Sequence, residues 1–280
     1  MEILFLGTAA AEGIPALFCR CTTCINAAQM GGREHRSRCG FLINQRLMLD
    51  LTPDCMHHKF RYNLDLAAVE ALCLTHSHTD HLNAADLCFR TTGCYAHIPD
   101  EKPLRVYGNK KCGAVIRQGL DFDLGSPDNP SLEIYEIGVK SIIECGALTI
   151  TALRARHDPR EDCLLFLVRE GDATFLQMND TALPGEELEQ DLAEALEGRT
   201  LKAVSMDCTH GKMKGSSGHM GIAENFTVKK RLTAAGLANQ DTRFIANHFS
   251  HNGGVSYEES AELLSPQDIV PAYDGMLLRI

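Results

Sequence analysis

Four side chains that can bind metal ions, His76, His78, Asp80 and His81, stand within six residues, directly after the apolar stretch Ala71–Leu74. Imidazoles and carboxylates packed this densely are costly to bury unless coordination compensates them. Alternate side chains of an extended segment share a face, so the first two histidines can converge on one ion. Asp80 and His81 can then point at a second ion. The run predicts a metalloenzyme, with zinc, manganese or iron as the fitting metals.

Four ligands cannot complete two metal sites, so further ligands are expected from later in the chain. Each candidate follows a predicted strand: His157, Asp180, Asp207 and His248. Taken singly, each has an ordinary explanation as a surface histidine or a turn carboxylate. Their shared position after strands favours one common edge, where binding loops usually lie. Asp180 and Asp207 compete for the role of a carboxylate that bridges two ions.

The pattern of strands and helices indicates two β-sheets packed face to face with helices outside. Strands are predicted at residues 3–6, 39–43, 47–50, 71–75, 105–107, 132–135, 148–153, 164–168, 174–178, 203–206, 244–247 and 277–280, and helices at 66–70, 111–119, 184–196, 223–235 and 257–264. Pro184 is expected in the first turn of its helix. The loop Gly125–Pro130 is a candidate boundary between two halves, but nothing resembles a flexible linker. We therefore expect one domain over residues 1–280.

The composition excludes several classes of protein. The chain has 280 residues, 44% hydrophobic and 23% charged, with a net charge of −10. An acidic chain disfavours nucleic acid polymers as substrates. The apolar runs are too short for a membrane span, and Met1–Gly7 predicts a first strand and not a signal peptide. With 12 cysteines and no secretory signal, we expect a reducing cytoplasm and free thiols or metal ligands.

A second metal site is predicted from the cysteines Cys19, Cys21 and Cys24, within an N-terminal loop at about residues 15–40. Three thiolates with one further ligand make a closed structural zinc site. The fourth ligand is not nearby in the sequence; the candidates are Cys39, His210 and His251. Redox use of the Cys21–Cys24 pair is the alternative, and the third cysteine counts against it.

The segment Lys212–Gly221 is a candidate substrate loop. Its glycines allow close approach of a ligand, and Lys212 and Lys214 could attract a phosphate. His219 could protonate a departing oxygen or stabilise a phosphorane oxygen. The alternative is a helix-capping loop with a chance histidine. His210 is a weaker candidate for the proton donor, and the sequence does not decide between the two.

The motif His76-X-His78-X-Asp80-His81 with the distant ligands resembles the metallo-β-lactamase superfamily of dinuclear hydrolases, over nearly the whole chain. The resemblance implies an αββα sandwich of two mixed sheets. It also implies the roles of the ligands: His76, His78 and His157 on one metal, Asp80, His81 and His248 on the other, Asp180 bridging in preference to Asp207, and Asp50 orienting a ligand histidine.

The triple cysteine, with a histidine three residues after His248, is similar to the branch of PhnP-type cyclic phosphodiesterases. This similarity implies a structural zinc on Cys19, Cys21, Cys24 and His251. The type B protein of pyrroloquinoline-quinone biosynthesis has a similar cysteine motif, so the cluster does not define the substrate.

These observations together predict hydrolysis of a small, cyclic phosphodiester by a metal-bound hydroxide, with Asp80 and His219 as catalytic residues. Two catalytic divalent ions, zinc or manganese with iron as a third choice, and one structural zinc are expected. The alternatives are a thioester, lactone or tRNA 3′-processing hydrolase of the same fold, a protein like the quinone-biosynthesis type B protein, a flavin-linked diiron protein, and a zinc-stabilised binding protein. A small phosphorylated substrate is the expected partner, and the sequence leaves open a monomer or a homodimer.

Overall fold

Two seven-stranded sheets form the centre of the computed structural model, which describes residues 1–98 and 102–280. The strands are β1 Glu2–Gly7, β2 Gly40–Ile43, β3 Leu47–Leu49, β4 Ala71–Cys73, β5 Leu104–Gly108, β6 Leu132–Glu136, β7 Ile142–Cys145, β8 Leu148–Arg154, β9 Leu164–Glu170, β10 Ala173–Met178, β11 Ala203–Asp207, β12 Arg243–Asn247, β13 Ile269–Pro271 and β14 Leu277–Arg279. The α-helices are α1 Thr22–Met30, α2 Cys55–Tyr62, α3 Lys110–Leu124, α4 Glu187–Leu196, α5 Ile222–Ala234 and α6 Tyr257–Leu264.

The two sheets have matching topologies. The first has the order β14-β1-β2-β3-β4-β5-β6 and the second β13-β12-β11-β10-β9-β8-β7. The strands β3 to β6 are parallel, as are β10 to β13, and the remaining neighbours are antiparallel. Parallel strands bring their carboxyl ends to the same edge of a sheet. Residues that follow β3, β4, β10 and β12 are thereby carried to the ends of the sheets where loops can converge.

A layer of aromatic and branched side chains fills the space between the sheets. The rings of Phe5, Phe41 and Phe175 meet edge to face at centroid distances of 4.9, 5.6 and 6.4 Å, a favoured geometry for aromatic pairs. Outside the second sheet, α4 buries Leu188, Leu192 and Leu196, spaced at one turn each. Helix α3 covers the first sheet in the same way. The predicted αββα sandwich is confirmed.

One helix cap connects the fold to the functional edge. Asn109 caps α3 by accepting from the amides of Lys111 and Cys112 at 2.9 Å each. Its amide Nδ2 donates to Glu161 Oε2 at 2.8 Å and to the carbonyl of Asp162 at 2.9 Å. Glu161 also accepts from the amide and hydroxyl of Ser77, at 3.0 and 2.7 Å. The cap therefore holds the loop after β4 against the loop after β8.

Several local predictions are wrong. Residues 66–68 form a short 3₁₀ turn and not an α-helix, and α4 begins only at Glu187 because Gly185 follows Pro184 and delays helix formation. The loop Gly125–Pro130 joins α3 to β6 within the first sheet, so the change of sheet comes later, between β6 and β7. Strands β7 and β13 and helices α1 and α2 were not predicted. In the described part of the chain, no helix has the length and apolar character needed to cross a membrane.

Candidate metal centre

The candidate ligands meet at the carboxyl ends of the central strands. The loop with His76 to His81 follows β4, Asp180 follows β10 and His248 follows β12. Asp50, directly after β3, Asp180 and His248 have φ values of 65°, 52° and 59°. Residues other than glycine rarely adopt this left-handed conformation, and it is concentrated at functional sites. The chain thus turns sharply at the three points where a strand delivers a polar side chain to the centre.

His76, His78 and His157 form the first group. Each can offer one ligand atom, and these atoms lie within 4.8 Å of one another. His157 Nε2 lies 3.3 Å from His78 Nδ1. The rings of His76 and His157 meet edge to face at 4.8 Å. Burial lowers the pKa of His76 well below its ordinary value and also lowers that of His157, so both rings are neutral and keep a free lone pair.

Asp80, His81 and His248 form the second group, again with ligand atoms within 4.8 Å. His81 Nε2 lies 3.0 Å from Asp80 Oδ2. Asp180 lies between the two groups: its Oδ2 is 2.8 Å from His81 Nε2 and 2.9 Å from His248 Nε2, and its Oδ1 is 3.8 Å from His157 Nε2. The two oxygens of one carboxylate therefore face two different groups of ligands.

Each of these five histidines has a partner on the ring nitrogen that faces away from the centre. The contacts are His76 Nδ1 with Thr75 Oγ1 at 2.9 Å, His78 Nε2 with Asp158 Oδ2 at 3.0 Å, His157 Nδ1 with the Gly218 carbonyl at 3.1 Å, His81 Nδ1 with Asp50 Oδ2 at 2.7 Å, and His248 Nδ1 with Thr209 Oγ1 at 2.9 Å. Such partners orient ligand histidines and select their tautomers. Asp50, expected from the sequence to orient a ligand histidine, contacts His81 in this way.

The inner atoms of the centre fit a divalent metal. His76 Nε2, His81 Nε2, His248 Nε2 and Asp180 Oδ2 are buried and make no hydrogen bond of good geometry among the described residues, although Asp180 Oδ2 lies close to His81 Nε2 and His248 Nε2. Leaving so many polar atoms buried and unpaired would cost about 1–3 kcal/mol each. Imidazole nitrogens and carboxylate oxygens are the ligands that zinc and manganese accept. The donor set therefore provides candidate sites for divalent cations.

His219 lies beside the centre and pairs with Asp207. Its Nδ1 is 2.9 Å from Asp207 Oδ2, and its ring stacks on that of His248 at 5.9 Å. Burial opposes the charged form of His219, but Asp207 outweighs it, and the pKa rises to about 9. Asp207 also accepts from the amides of Thr209 and Met220, at 3.0 Å each. Asp207 therefore orients His219, and Asp180 is the carboxylate between the two groups.

Two residues in or next to the predicted substrate loop, His210 and Lys212, are candidates for substrate contact from the sequence but lie away from the two ligand groups. The ring of His210 is 6.0 Å from that of His219 and belongs to neither ligand group. Lys212 Nζ pairs with Glu259 at 2.8 Å, so Lys212 is engaged on α6 and is not directed at a substrate. The loop itself approaches the centre through the Gly218 carbonyl, which contacts His157.

The cysteine cluster forms a separate group with His251. The ligand atoms of Cys19, Cys21, Cys24 and His251 lie within 4.8 Å of one another. His251 Nδ1 is 3.5 Å from Cys19 Sγ and 3.4 Å from Cys21 Sγ. The backbone N–H of Cys24 lowers the pKa of Cys21 to about 6, which favours a thiolate. His251 occupies the fourth position; Cys39 instead contacts Asn179 Nδ2 at 2.8 Å.

Comparison with known proteins decides the family. A family model described as the β-lactamase superfamily domain matches residues 45–248, more than half of the chain. The chain belongs to the metallo-β-lactamase superfamily. This membership supports a hydrolase with divalent metal cofactors, and the predicted resemblance is confirmed.

Solved structures share the metallo-β-lactamase fold over the whole chain. A diphosphatase of the PhnP family superposes with a TM-score of 0.76 at 20% identity, covering 100% of this chain and 97% of that one. Zinc-bound PqqB from Methylobacterium extorquens superposes with a TM-score of 0.71 at 17% sequence identity, covering 100% of both chains. The short form of human tRNase Z superposes with a TM-score of 0.68 at 15% sequence identity, covering 100% of this chain and 99% of that one. Identities this low establish a common fold.

One curated relative is longer than this chain. The octanoyltransferase of Porphyromonas gingivalis (strain ATCC BAA-308 / W83) is 26% identical over 285 residues, covering 99% of this chain and 51% of that protein. The chain therefore spans about half the length of this relative.

Sequence reasoning missed the partners that hold the candidate ligand histidines in place. Asp158, Thr209 and Thr75 each contact the outer nitrogen of a histidine, and Glu161 holds Ser77. One signal was available: Thr75 and Asp158 directly adjoin the ligands His76 and His157. Thr209 and Glu161 reach the centre only through the folded loops.

Proposed function

We propose that this chain hydrolyses a small phosphodiester, with a cyclic phosphodiester as the favoured substrate, at a centre of two divalent ions. The position of Asp180 carries the proposal: it faces His157 with one oxygen and His81 and His248 with the other. A carboxylate shared in this way suits two ions held side by side. His76, His78 and His157 would hold one ion, and Asp80, His81 and His248 the other.

Bound divalent ions would supply Lewis-acid activation of water and neutralise charge on the phosphoryl oxygens. The protein contributes orientation, because every ligand histidine is held by a partner on its outer nitrogen. His219 contributes a proton. Since Asp207 holds its Nδ1, the Nε2–H of His219 is free to donate to the oxygen that leaves phosphorus.

The nature of the fold relatives supports a phosphorus substrate. The relative with a TM-score of 0.76 is a diphosphatase of the PhnP family, and another is a tRNase Z. The acidic charge of −10 favours a small substrate over a nucleic acid polymer. We propose that the cysteine–histidine cluster binds a structural zinc. This cluster is a further similarity to PhnP-type enzymes and supports the same class of substrate. We accordingly propose zinc or manganese at the catalytic centre, with iron as the third choice.

An acyl ester or thioester is the second candidate substrate. The octanoyltransferase of P. gingivalis favours it, because half of that longer protein aligns with nearly all of this chain. Bound divalent ions would polarise a carbonyl oxygen as well as a phosphoryl oxygen. The two candidates differ in the electrophile and not in the metal centre.

A substrate panel tests the proposal. The zinc-loaded and manganese-loaded protein would be assayed with a ribose cyclic phosphate, a cyclic nucleotide, bis(p-nitrophenyl) phosphate, a diphosphate, an octanoyl thioester and a lactone. We expect the highest kcat/KM with a cyclic phosphodiester. Turnover of the thioester or lactone alone would contradict the phosphodiesterase proposal and support the second candidate.

Removal of His219 should affect turnover according to the leaving group. In His219→Ala, we expect kcat for a cyclic phosphodiester with an alkoxide leaving group to fall about 10²–10⁴-fold. Hydrolysis of bis(p-nitrophenyl) phosphate should change little, because p-nitrophenolate leaves without a proton. The ratio of the two rates in variant and wild type is the measurement. An equal loss for both substrates would show that His219 does not act as the proton donor.

A further inference from the structure

The hydroxyl of Thr209 lies between the two stacked histidines beside the metal centre. Its Oγ1 is 2.9 Å from His248 Nδ1 and 3.2 Å from His219 Nδ1. It is also 3.0 Å from the backbone carbonyl of His248. Three polar atoms thus surround one hydroxyl that has a single proton.

The placement of that proton follows from the carbonyl. A carbonyl oxygen can only accept, and the Thr209 hydroxyl is the donor that contacts the His248 carbonyl among the described residues. His248 is 1% exposed, so its carbonyl needs this donor. Once the hydroxyl proton is committed to the carbonyl, Thr209 Oγ1 can only accept from the two rings. Both His248 and His219 must then carry a proton on Nδ1.

We infer that Thr209 is a positioning residue that fixes the tautomer of His248, so that its Nε2 lone pair faces Asp180 and the metal. This inference rests on the assignment of His248 as a metal ligand in the proposed function. Without the hydroxyl, Asp207 Oδ2, at 3.8 Å from His248 Nδ1, is too far away to replace it. The imidazole would then place its proton on Nε2 and direct it at Asp180 Oδ2, 2.9 Å away. That proton occupies the lone pair which the metal requires.

The same arrangement occurs at the other group of ligands. Thr75 Oγ1 donates to Asp50, because the carboxylate can only accept, at 2.9 Å from Oδ1. It therefore accepts from His76 Nδ1 at 2.9 Å. Thr75 is a less suitable test, because its hydroxyl also holds Asp50, which contacts His81. Thr209 can be replaced without disturbing the partner of any other candidate ligand; its one further side-chain contact is with His219, which is not among the proposed ligands.

Zinc binding to three variants tests the inference. Metal-free wild type, Thr209→Val, Thr209→Ser and the exposed control Thr233→Val would be dialysed against a series of buffered free-zinc concentrations, and bound zinc per chain measured. The two ions proposed to bind among His76, His78, His157, Asp80, His81, His248 and Asp180 form what we call the histidine–aspartate centre. In Thr209→Val, one of these two ions should bind about 10–100-fold more weakly. Thr209→Ser should restore wild-type binding, and Thr233→Val should match wild type.

The outcomes separate this inference from the proposed function. Wild type that binds fewer than two ions at the histidine–aspartate centre would overturn the two-ion proposal and the inference with it. Two ions in wild type, with equal affinities in Thr209→Val, would overturn the inference alone. Failure of Thr209→Ser to restore binding would also overturn it, because serine keeps the hydroxyl. Thr209→Val also leaves the buried His248 carbonyl without its donor, which is destabilising, so circular dichroism of the metal-free variant would establish that it is folded before zinc binding is compared.

Discussion

Asp180→Asn is expected to abolish phosphodiester hydrolysis while the protein remains folded. The asparagine keeps the size of the side chain but removes the negative charge that faces His81, His248 and His157. Burial opposes the ionised form of Asp180, but His248 and His81 outweigh it and hold its pKa well below the usual range, so the carboxylate is ionised at neutral pH. Loss of a shared ligand should weaken the binding of both ions. We expect kcat/KM to fall roughly 10³-fold or more.

The control for this variant is Asp172→Asn, whose side chain is 98% exposed. Circular dichroism would establish that both variants are folded, and bound zinc would be measured on the same samples. Asp172→Asn should keep wild-type activity and zinc content. If Asp180→Asn retained more than about a tenth of wild-type kcat/KM with full zinc content, the shared role of this carboxylate would be refuted.

Cys21→Ser should release one zinc ion and destabilise the whole fold. Cys21 joins the N-terminal loop to His251, at 3.4 Å, and its side chain also accepts from the Cys24 amide at the start of α1. His251 lies three residues after His248, so the cluster would anchor the segment that carries this candidate ligand. Loss of a structural metal is among the mechanisms that cost about 4 kcal/mol or more.

Cys94→Ser provides the matched control, because Cys94 is exposed and lies outside the cluster. The free energy of unfolding would be measured in denaturant, with and without a zinc chelator. Wild type and Cys94→Ser should lose stability on chelation, whereas Cys21→Ser should start less stable and lose less on chelation, because it has already lost the structural zinc. Equal stability of Cys21→Ser and wild type at saturating zinc would contradict a structural zinc at this site.

The candidate metal centre could be located from the sequence because its possible ligands are chemically unusual and follow apolar strands. The run His76–His81 and the positions of Asp180 and His248 after β10 and β12 needed no tertiary information. Family resemblance was required to prefer Asp180 to Asp207. The structure supplies the physical reason: Asp207 is turned towards His219 and two backbone amides.

The remaining features depend on contacts that local patterns do not encode. Helix α1 begins beside the Cys21 thiol, which accepts from the Cys24 amide, and sequence rules for capping look for serine, threonine, aspartate or asparagine there. The strand β13 is only three residues long and contains Pro271, which argues against a strand in the sequence. Its pairing with β12 is a tertiary contact. Thr209 gains its place only when the loop after β11 meets the end of β12.

A crystal structure of the zinc-saturated protein, with anomalous scattering used to locate the metals, is the most direct measurement of the two-ion centre. We predict three zinc ions per chain: one on each side of Asp180, and one among Cys19, Cys21, Cys24 and His251. A single ion at the histidine–aspartate centre, or two ions with Asp180 contacting neither, would contradict the account.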